Sequence, residues 1–465
     1  AMPRRSRPAC GNSTSTKSAG SAPRENSFRV NKPAQGRFYF GWYIAGVCLL
    51  VYFFTNGMSI FVPQNLFPRF METFGATEGQ VSLTVGITFL LTAPLAPFAG
   101  ALIDRYGPLT IIRIGLVIMA VCFSLYPFAA SITQLYVLHA GLAFGLILGG
   151  LLVNVVLLSN WFVTRRGAVV GLLVAMSSLS GLILPNLISP LVNDPAYGWR
   201  WGMGALAIAF WIFALVPGFL FLKAHPRDVG AFPDGAEQPP IVNGEVDSDV
   251  DVEAYLAHEE QGVPFATALR SKTLWALAVG SACLWFTFQA INSQITVFLE
   301  LEAGLEPEAA TRLYSFIFGF SVAGKFLFGA VSDRFQKRHV MTFTSIVLLG
   351  GCLLLFDFGA GRVDLTTSMT QLMLFTIVFG LGYGGSFTMI QLVCVETFGP
   401  RALGKILGIV ICIDSLGGML GTVLTGQLKT ATGSYLLPFG IVLGVATLAL
   451  INVVMIRPLA PASRS

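Results

Sequence analysis

Twelve apolar runs divide the chain, at about 40–63, 79–103, 109–129, 133–158, 167–191, 201–223, 273–299, 311–332, 340–358, 370–396, 402–428 and 434–456. Each is close to the roughly 20 residues a helix needs to cross the hydrocarbon of a bilayer. In lipid a segment must satisfy its own backbone amides, so runs of this length are expected to be helices. A second feature groups them. The string Gly100-Ala101-Leu102-Ile103-Asp104-Arg105 returns as Gly329-Ala330-Val331-Ser332-Asp333-Arg334, and the offset is 229 residues (333 minus 104). Each copy closes the second run of its half. The pattern predicts an all-α membrane protein, with twelve transmembrane helices in two pseudo-symmetric six-helix bundles. The expected division is a disordered tail (1–37), a first bundle (38–223), a linker (224–272), a second bundle (273–456) and a short tail (457–465). Parallel repeats of this kind place a substrate site between the halves near the bilayer midplane, so movement of a solute is expected rather than its conversion.

Composition agrees with lipid as the solvent. Hydrophobic residues make up 54% of the chain and charged ones 11%, well below the roughly 25% charge of soluble domains. The 50 glycines and 24 prolines do not argue against helices, because membrane helices use small residues for close contact. The basic residues set orientation. With the amino terminus inside, 23 of the 29 fall inside, Lys325 lies within a span, and Arg69, Arg200, Arg312, Arg362 and Lys429 fall outside. Both termini are therefore expected to be cytoplasmic, in a plasma (inner) membrane. The net charge of +5 is a topology signal, and no face concentrates it for nucleic acid.

Residues 1–37 are rich in Ser, Arg and Lys and lack an apolar stretch, which reads as a polar tail; the same bias faintly resembles an organellar transit peptide. Asn12-Ser13-Thr14 would be a glycosylation sequon only on the luminal side. The acids Glu245, Asp247, Asp249, Asp251, Glu253, Glu259 and Glu260 follow Pro239-Pro240 and read as a solvated linker rather than a calcium loop. The seven cysteines show no metal-ligand spacing, so they read as small apolar residues. His139, His225, His258 and His339 are scattered and lie mostly near loops. With no nucleophile–base set and no metal cluster in the spans, neither enzyme chemistry nor a cofactor is expected. Gly380-Leu381-Gly382-Tyr383-Gly384-Gly385 looks like a phosphate loop but lies within a span and lacks the following Lys-Ser/Thr.

The repeated turn is a candidate conformational latch: Gly100, Asp104 and Arg105 in one half, Gly329, Asp333 and Arg334 in the other. The glycines would let a neighbouring helix approach, and each carboxylate would accept hydrogen bonds from a helix amino end. A second echo pairs Phe162 and Arg165 with Phe398 and Arg401, both 236 residues apart. On the duplicated Gly-x-x-x-Asp-Arg turn, the twelve spans and the long central loop, the chain resembles the major facilitator superfamily. Three further features make it similar to the monocarboxylate transporter and oxalate/formate antiporter branches. They are Gly41-Trp42-Tyr43, the run Asn160-Trp161-Phe162-Val163-Thr164-Arg165-Arg166-Gly167-Ala168, and Pro226-Arg227-Asp228-Val229-Gly230 followed by Pro233-Asp234-Gly235.

Lys325 is the one basic residue within a span. A buried cation is expensive in lipid and is expected to face a cavity and meet an anion; the alternative is a lysine that snorkels to the interface. In the resembled branch a span-8 arginine four residues before the second turn's glycine binds the substrate carboxylate, and Lys325 stands at that spacing from Gly329. Lysine offers a point charge in place of a planar fork. Ser321 stands where the resembled carriers tend to have an acid. Asp414 is the acid deepest within a span, a candidate for countercharge to Lys325 and for proton coupling, or else a structural ion pair or a packed, protonated group. The resemblance also points to spans 1, 4, 7 and 10 as cavity walls. Their polar residues Tyr52, Thr55, Asn56, Asn154, Gln289, Asn292, Ser293 and Tyr383 are candidate substrate contacts, each with helix–helix hydrogen bonding as the competing role. The expected function is secondary active transport of a small organic monocarboxylate by alternating access, coupled to protons, in a monomer. The alternatives are an exporter of amphipathic compounds, an anion exchanger, a neutral-solute carrier and a transporter-like sensor.

Overall fold

The computed structural model describes residues 39–163, 165–235, 241–242, 245–246, 263–358, 362–399 and 402–455, without the side chains of residues 104, 241, 242, 245, 246 and 403. The expected tails at 1–37 and 457–465, the sequon at Asn12, and the linker acids from Asp247 to Glu260 lie outside the described residues.

Helices are bounded by the residues that physical chemistry places at helix ends. In the first half they are α1 (Gly41–Asn65), α2 (Glu78–Tyr106), α3 (Pro108–Phe128), α4 (Ile132–Trp161), α5 (Arg166–Val192) and α6 (Gly198–Leu220). The second half has α7 (Lys272–Leu301), α8 (Pro307–Ser332), α9 (Lys337–Leu353), α10 (Met369–Phe398), α11 (Leu403–Thr432) and α12 (Leu436–Met455). Thr77 caps α2 in a reciprocal box with Gln80, and Ser271 caps α7 by accepting from the Leu274 amide at 3.2 Å. These caps satisfy amides that the first turn leaves free. The reversal from α2 to α3 turns on Gly107 at φ 78°, followed by Pro108 as the first helical residue, a pairing only glycine and proline supply at no cost.

Eleven of these helices are long and apolar enough to cross a membrane. The twelfth position is α9, whose 17 residues span about 26 Å. The apolar run at 340–358 overshoots it, because the chain turns at Phe356–Asp357 into a short antiparallel pairing with Asp364–Leu365.

The two halves repeat one packing scheme. In the first, α3 packs on α4, α2 on α4, α1 on α5 and α5 on α6; in the second, α9 packs on α10, α8 on α10, α7 on α11 and α11 on α12. The halves meet along two equivalent seams, α2 against α11 and α5 against α8. Glycine makes the tightest of the contacts within a half possible. A Cβ on Gly324 would lie 2.5 Å from the Leu381 carbonyl oxygen, and one on Gly380 at the same distance from that of Ile317. Gly384 abuts the Ser321 backbone and Gly382 that of Leu348. The glycine-rich string of α10 is thus a surface on which α8 and α9 sit at close range.

Candidate functional site

The packing of α8 on glycines of α10 fixes the backbone on either side of Lys325, whose side chain is only 6% exposed. Its ammonium crosses the seam between the halves. Nζ donates to the Val174 carbonyl oxygen of α5 at 2.9 Å and to Ser177 Oγ at 3.1 Å. It also lies 4.6 Å from the centre of the Phe387 ring of α10, a cation–π contact. One turn before it on α8, Ser321 shares a 3.0 Å hydrogen bond with Ser178. Tyr52 of α1 reaches Ser177 as well. The amine therefore points neither into lipid nor out of the bundle.

Asp414 is buried on α11, where its Oδ1 accepts from Ser281 Oγ of α7 at 2.5 Å, with the Trp285 indole nearby. No ion pair joins it to Lys325 among the described residues. The two are linked through rings: Trp285 lies 5.7 Å from Phe387, the ring beneath the amine. Ser177, Val174, Ser281, Trp285 and Phe387 are neighbours of these two candidates that the sequence reading did not single out. A cluster of serines at 177, 178 and 180 inside an apolar span was the available signal for the first.

The remaining candidates divide. Tyr383 packs 4.4 Å from Phe288 and 6.1 Å from Phe318 in a central aromatic belt. Gln289 Oε1 accepts from Gln64 of the first half at 3.4 Å. Asn292 is fully buried with neither amide atom paired, and Asn56 Oδ1 is also unpaired. Thr55 and Ser293 bond to carbonyls of their own helices. Asn154 repairs a break in α4: it donates to the Gly149 and Gly150 carbonyl oxygens at 3.0 and 2.7 Å. His139 is not near a loop. It is fully buried in α4, between Thr88 Oγ1 at 2.9 Å and the Tyr126 hydroxyl at 3.0 Å.

The halves are joined by polar contacts at one face, whereas no hydrogen bond or ion pair between described residues joins them at the other, the unjoined face. Toward the loops after α1 and α7, Arg69 pairs with Glu300 at 2.7 Å and Gln294 donates to Ser82 at 2.7 Å. The Gly79 amide donates to Thr430 at 3.0 Å, and Asn65 to Thr311 at 3.3 Å. Toward the repeated Asp-Arg turns, Gly100, Gly167, Gly171, Gly329, Gly404 and Gly408 have no neighbour within 4 Å of a built Cβ among the described residues. Asp333 and Arg334 are exposed there, and Arg105 lies over Tyr106. The latch at Asp104 lies outside the described side chains. Arg69→Ala is expected to loosen the joined face. At side-chain exposures of 21% and 10%, its ion pair falls between the surface and buried limits, about 1–2 kcal/mol. That corresponds to roughly a tenfold rise in opening. The check is the rate of thiol labelling of Thr311→Cys in the two backgrounds; equal rates would remove this ion pair from the gate.

On the unjoined face the three motifs of the second resemblance come together. Trp161 Nε1 donates to the Lys223 carbonyl at 3.0 Å, and Tyr39 donates to that of Trp161 at 2.7 Å. The Val163 amide donates to Asp234 Oδ2 at 3.0 Å, and Arg165 lies over Trp42. Burial, then the Asp234 carboxylate, push the Tyr39 hydroxyl above its ordinary pKa. Motifs far apart in sequence thus tie the start of the linker to the end of α4.

Two repeated six-helix halves, meeting along paired seams around a buried cation, have the architecture of a membrane transporter. A family model described as Major Facilitator Superfamily matches residues 49–324 and 307–465, and the chain belongs to that superfamily. It is 24% identical over 403 residues to an MFS-type transporter of Bacillus subtilis, covering 84% of this chain and 90% of that one. To monocarboxylate transporter 13 of Bos taurus it is 24% identical over 445 residues, 93% of this chain and 92% of the relative. Among solved structures it resembles a bacterial homologue of the human lysosomal transporter Spinster in an inward-facing, occupied conformation. That likeness has a TM-score of 0.62 at 15% identity and covers 90% of this chain and 95% of the other.

Proposed function

We propose that this transporter carries a small organic monocarboxylate anion by alternating access, with proton uptake as the coupled reaction. The observation that supports the reading is the Lys325 ammonium, buried on the seam, touching both halves and paired with no carboxylate among the described residues. A cation so placed is costly unless an anion joins it, and an anion there meets groups of α5, α8 and α10 together. Closure of the two halves would then depend on cargo. Asp414 is the proposed proton acceptor, reached from Lys325 through Phe387 and Trp285. The moving bodies are taken as 38–223 and 273–456, joined by 224–272 between tails at 1–37 and 457–465. The unjoined face is taken as cytoplasmic, with both termini on that side of the plasma membrane and the protein acting as a monomer. The paired latch residues would close that face.

A second reading, an exporter of amphipathic compounds, is favoured by the aromatic belt and by a 22% identical relative named as an agnestins efflux protein of Paecilomyces divaricatus. One experiment separates the two. Counterflow of labelled lactate into proteoliposomes, with and without an inward proton gradient, is competed by acetate and pyruvate and by their amides. The carboxylate reading expects competition by the acids alone and acceleration by the gradient, which Asp414→Asn removes. Competition by the amides alone would sink it.

A further inference from the structure

Each half uses one arginine to hold the end of its last helix. In the first, Arg113 of α3 donates from Nη2 to the Phe219 carbonyl oxygen of α6 at 2.9 Å; in the second, Arg338 of α9 donates from Nη2 to the Val454 carbonyl oxygen of α12 at 2.6 Å. Both carbonyls belong to the penultimate residue of their helix, since α6 ends at Leu220 and α12 at Met455. The two arginines stand 225 residues apart (338 minus 113), close to the offset of the repeated turn, and both helix ends lie on the unjoined face.

Helix capping accounts for one bond per arginine. A cation at this place satisfies a last-turn carbonyl and meets the negative end of the helix dipole. A guanidinium nevertheless carries five N–H donors, and neither arginine makes another hydrogen bond or any ion pair to a described residue. Arg113 Nε is buried with no partner at all. The contrast with the next residue is direct: Lys337 has Glu396 at 3.6 Å, whereas Arg338 has no acid beside it among the described residues.

The surface around both guanidiniums is apolar and exposed. The Phe219 ring lies 5.4 Å from the guanidinium carbon of Arg113, and Phe219, Leu220 and Phe221 are all exposed. α3 continues with exposed Ile114, Val117 and Val121, which share one face. In the second half α9 exposes Phe343 and Ile346, and α12 exposes Ile451, Val454 and Met455. Apolar surface of this extent on a membrane helix is covered by acyl chains. A guanidinium with free donors at its border suits a phosphate, which takes the fork in pairs, more than it suits water. We propose that Arg113 and Arg338 form two pseudo-equivalent sites for the headgroup phosphate of an anionic phospholipid, one at the α3–α6 edge and one at the α9–α12 edge. Each lipid touches two helices of a single half, so it braces that half and leaves the seams free to move. The proposal does not depend on the cargo or on Lys325.

The test is native mass spectrometry of the full-length protein in detergent, offered phosphatidylglycerol, phosphatidylcholine with the same chains, or sn-glycerol 3-phosphate. Two retained phosphatidylglycerol molecules are expected, each held about fivefold better than phosphatidylcholine, with glycerol phosphate not retained. Arg113→Gln and Arg338→Gln should each lose one of the two, and the double variant both. Glutamine keeps an N–H for the helix-end carbonyl, so the Tm in phosphatidylcholine should move little. Arg227→Gln, in the exposed turn after α6, should lose neither. Where a Gln variant gives no monodisperse protein, Arg113→Lys or Arg338→Lys decides: lysine keeps the charge without the fork and should hold that lipid several-fold less well. Equal retention of the two phospholipids, both lipids kept by the double variant or by the Lys variants that replace it, or a lipid lost from Arg227→Gln overturns the proposal. Glycerol phosphate bound as tightly as phosphatidylglycerol overturns it too, because the sites would then take a free anion.

Discussion

Lys325→Gln is expected to lower monocarboxylate uptake at least a hundredfold, and Lys325→Arg to keep a measurable part of it. Glutamine preserves the two donor contacts to Val174 and Ser177 in kind, so the fold loses little when the charge is removed. What it loses is the attraction for an anion in a site largely stripped of water. Removing one member of a buried charge pair costs about 3–5 kcal/mol, and about 2.7 kcal/mol already corresponds to a hundredfold. Arginine keeps the charge but brings a planar fork that needs a wider seat, and the Phe387 ring 4.6 Å from the ammonium limits the room. The measurement is initial uptake of labelled lactate in proteoliposomes, at protein levels matched by size-exclusion chromatography. Wild-type rates in the Gln variant would remove the amine from cargo recognition.

The fold was legible because lipid imposes few options: apolar runs of the right length become helices, and a duplicated turn marks the repeat. Where α9 ends was not legible, since Leu353, Leu354, Leu355 and Phe356 continue the apolar run while the chain leaves the helix for a hairpin. The candidate site drew attention through its rarities. One lysine and one acid stand out in a chain of apolar spans, whereas Phe387 is one of 38 phenylalanines and the Val174 carbonyl has no sequence signal at all. That Asn154 donates to the carbonyl at the Gly150 break was not legible, because the break is a tertiary feature. His139 gave no warning of burial, because its partners Thr88 and Tyr126 lie on other helices.

Two glycine substitutions are expected to stop transport for opposite reasons. Gly384 lies against the Ser321 backbone, so the methyl groups of Gly384→Val have no volume to occupy. Overpacking of this kind costs about 1–3 kcal/mol or more, and here the strain falls on rigid backbone one turn from Lys325. The variant should give little monodisperse protein and a lowered Tm. Gly329 has no neighbour within 4 Å among the described residues, so Gly329→Leu fits this conformation. It should not weaken α8, since a leucine in its last turn gains a fraction of the about 1 kcal/mol that separates glycine from good helix formers in a helix interior. The leucine would nevertheless occupy the space that a neighbouring helix needs when the Asp-Arg face closes. Normal yield, an equal or raised Tm, and uptake reduced at least tenfold are therefore expected of Gly329→Leu. Wild-type uptake by that variant would show that closure does not bring another helix onto the second turn, and the latch assigned to Gly329, Asp333 and Arg334 would have to be given up.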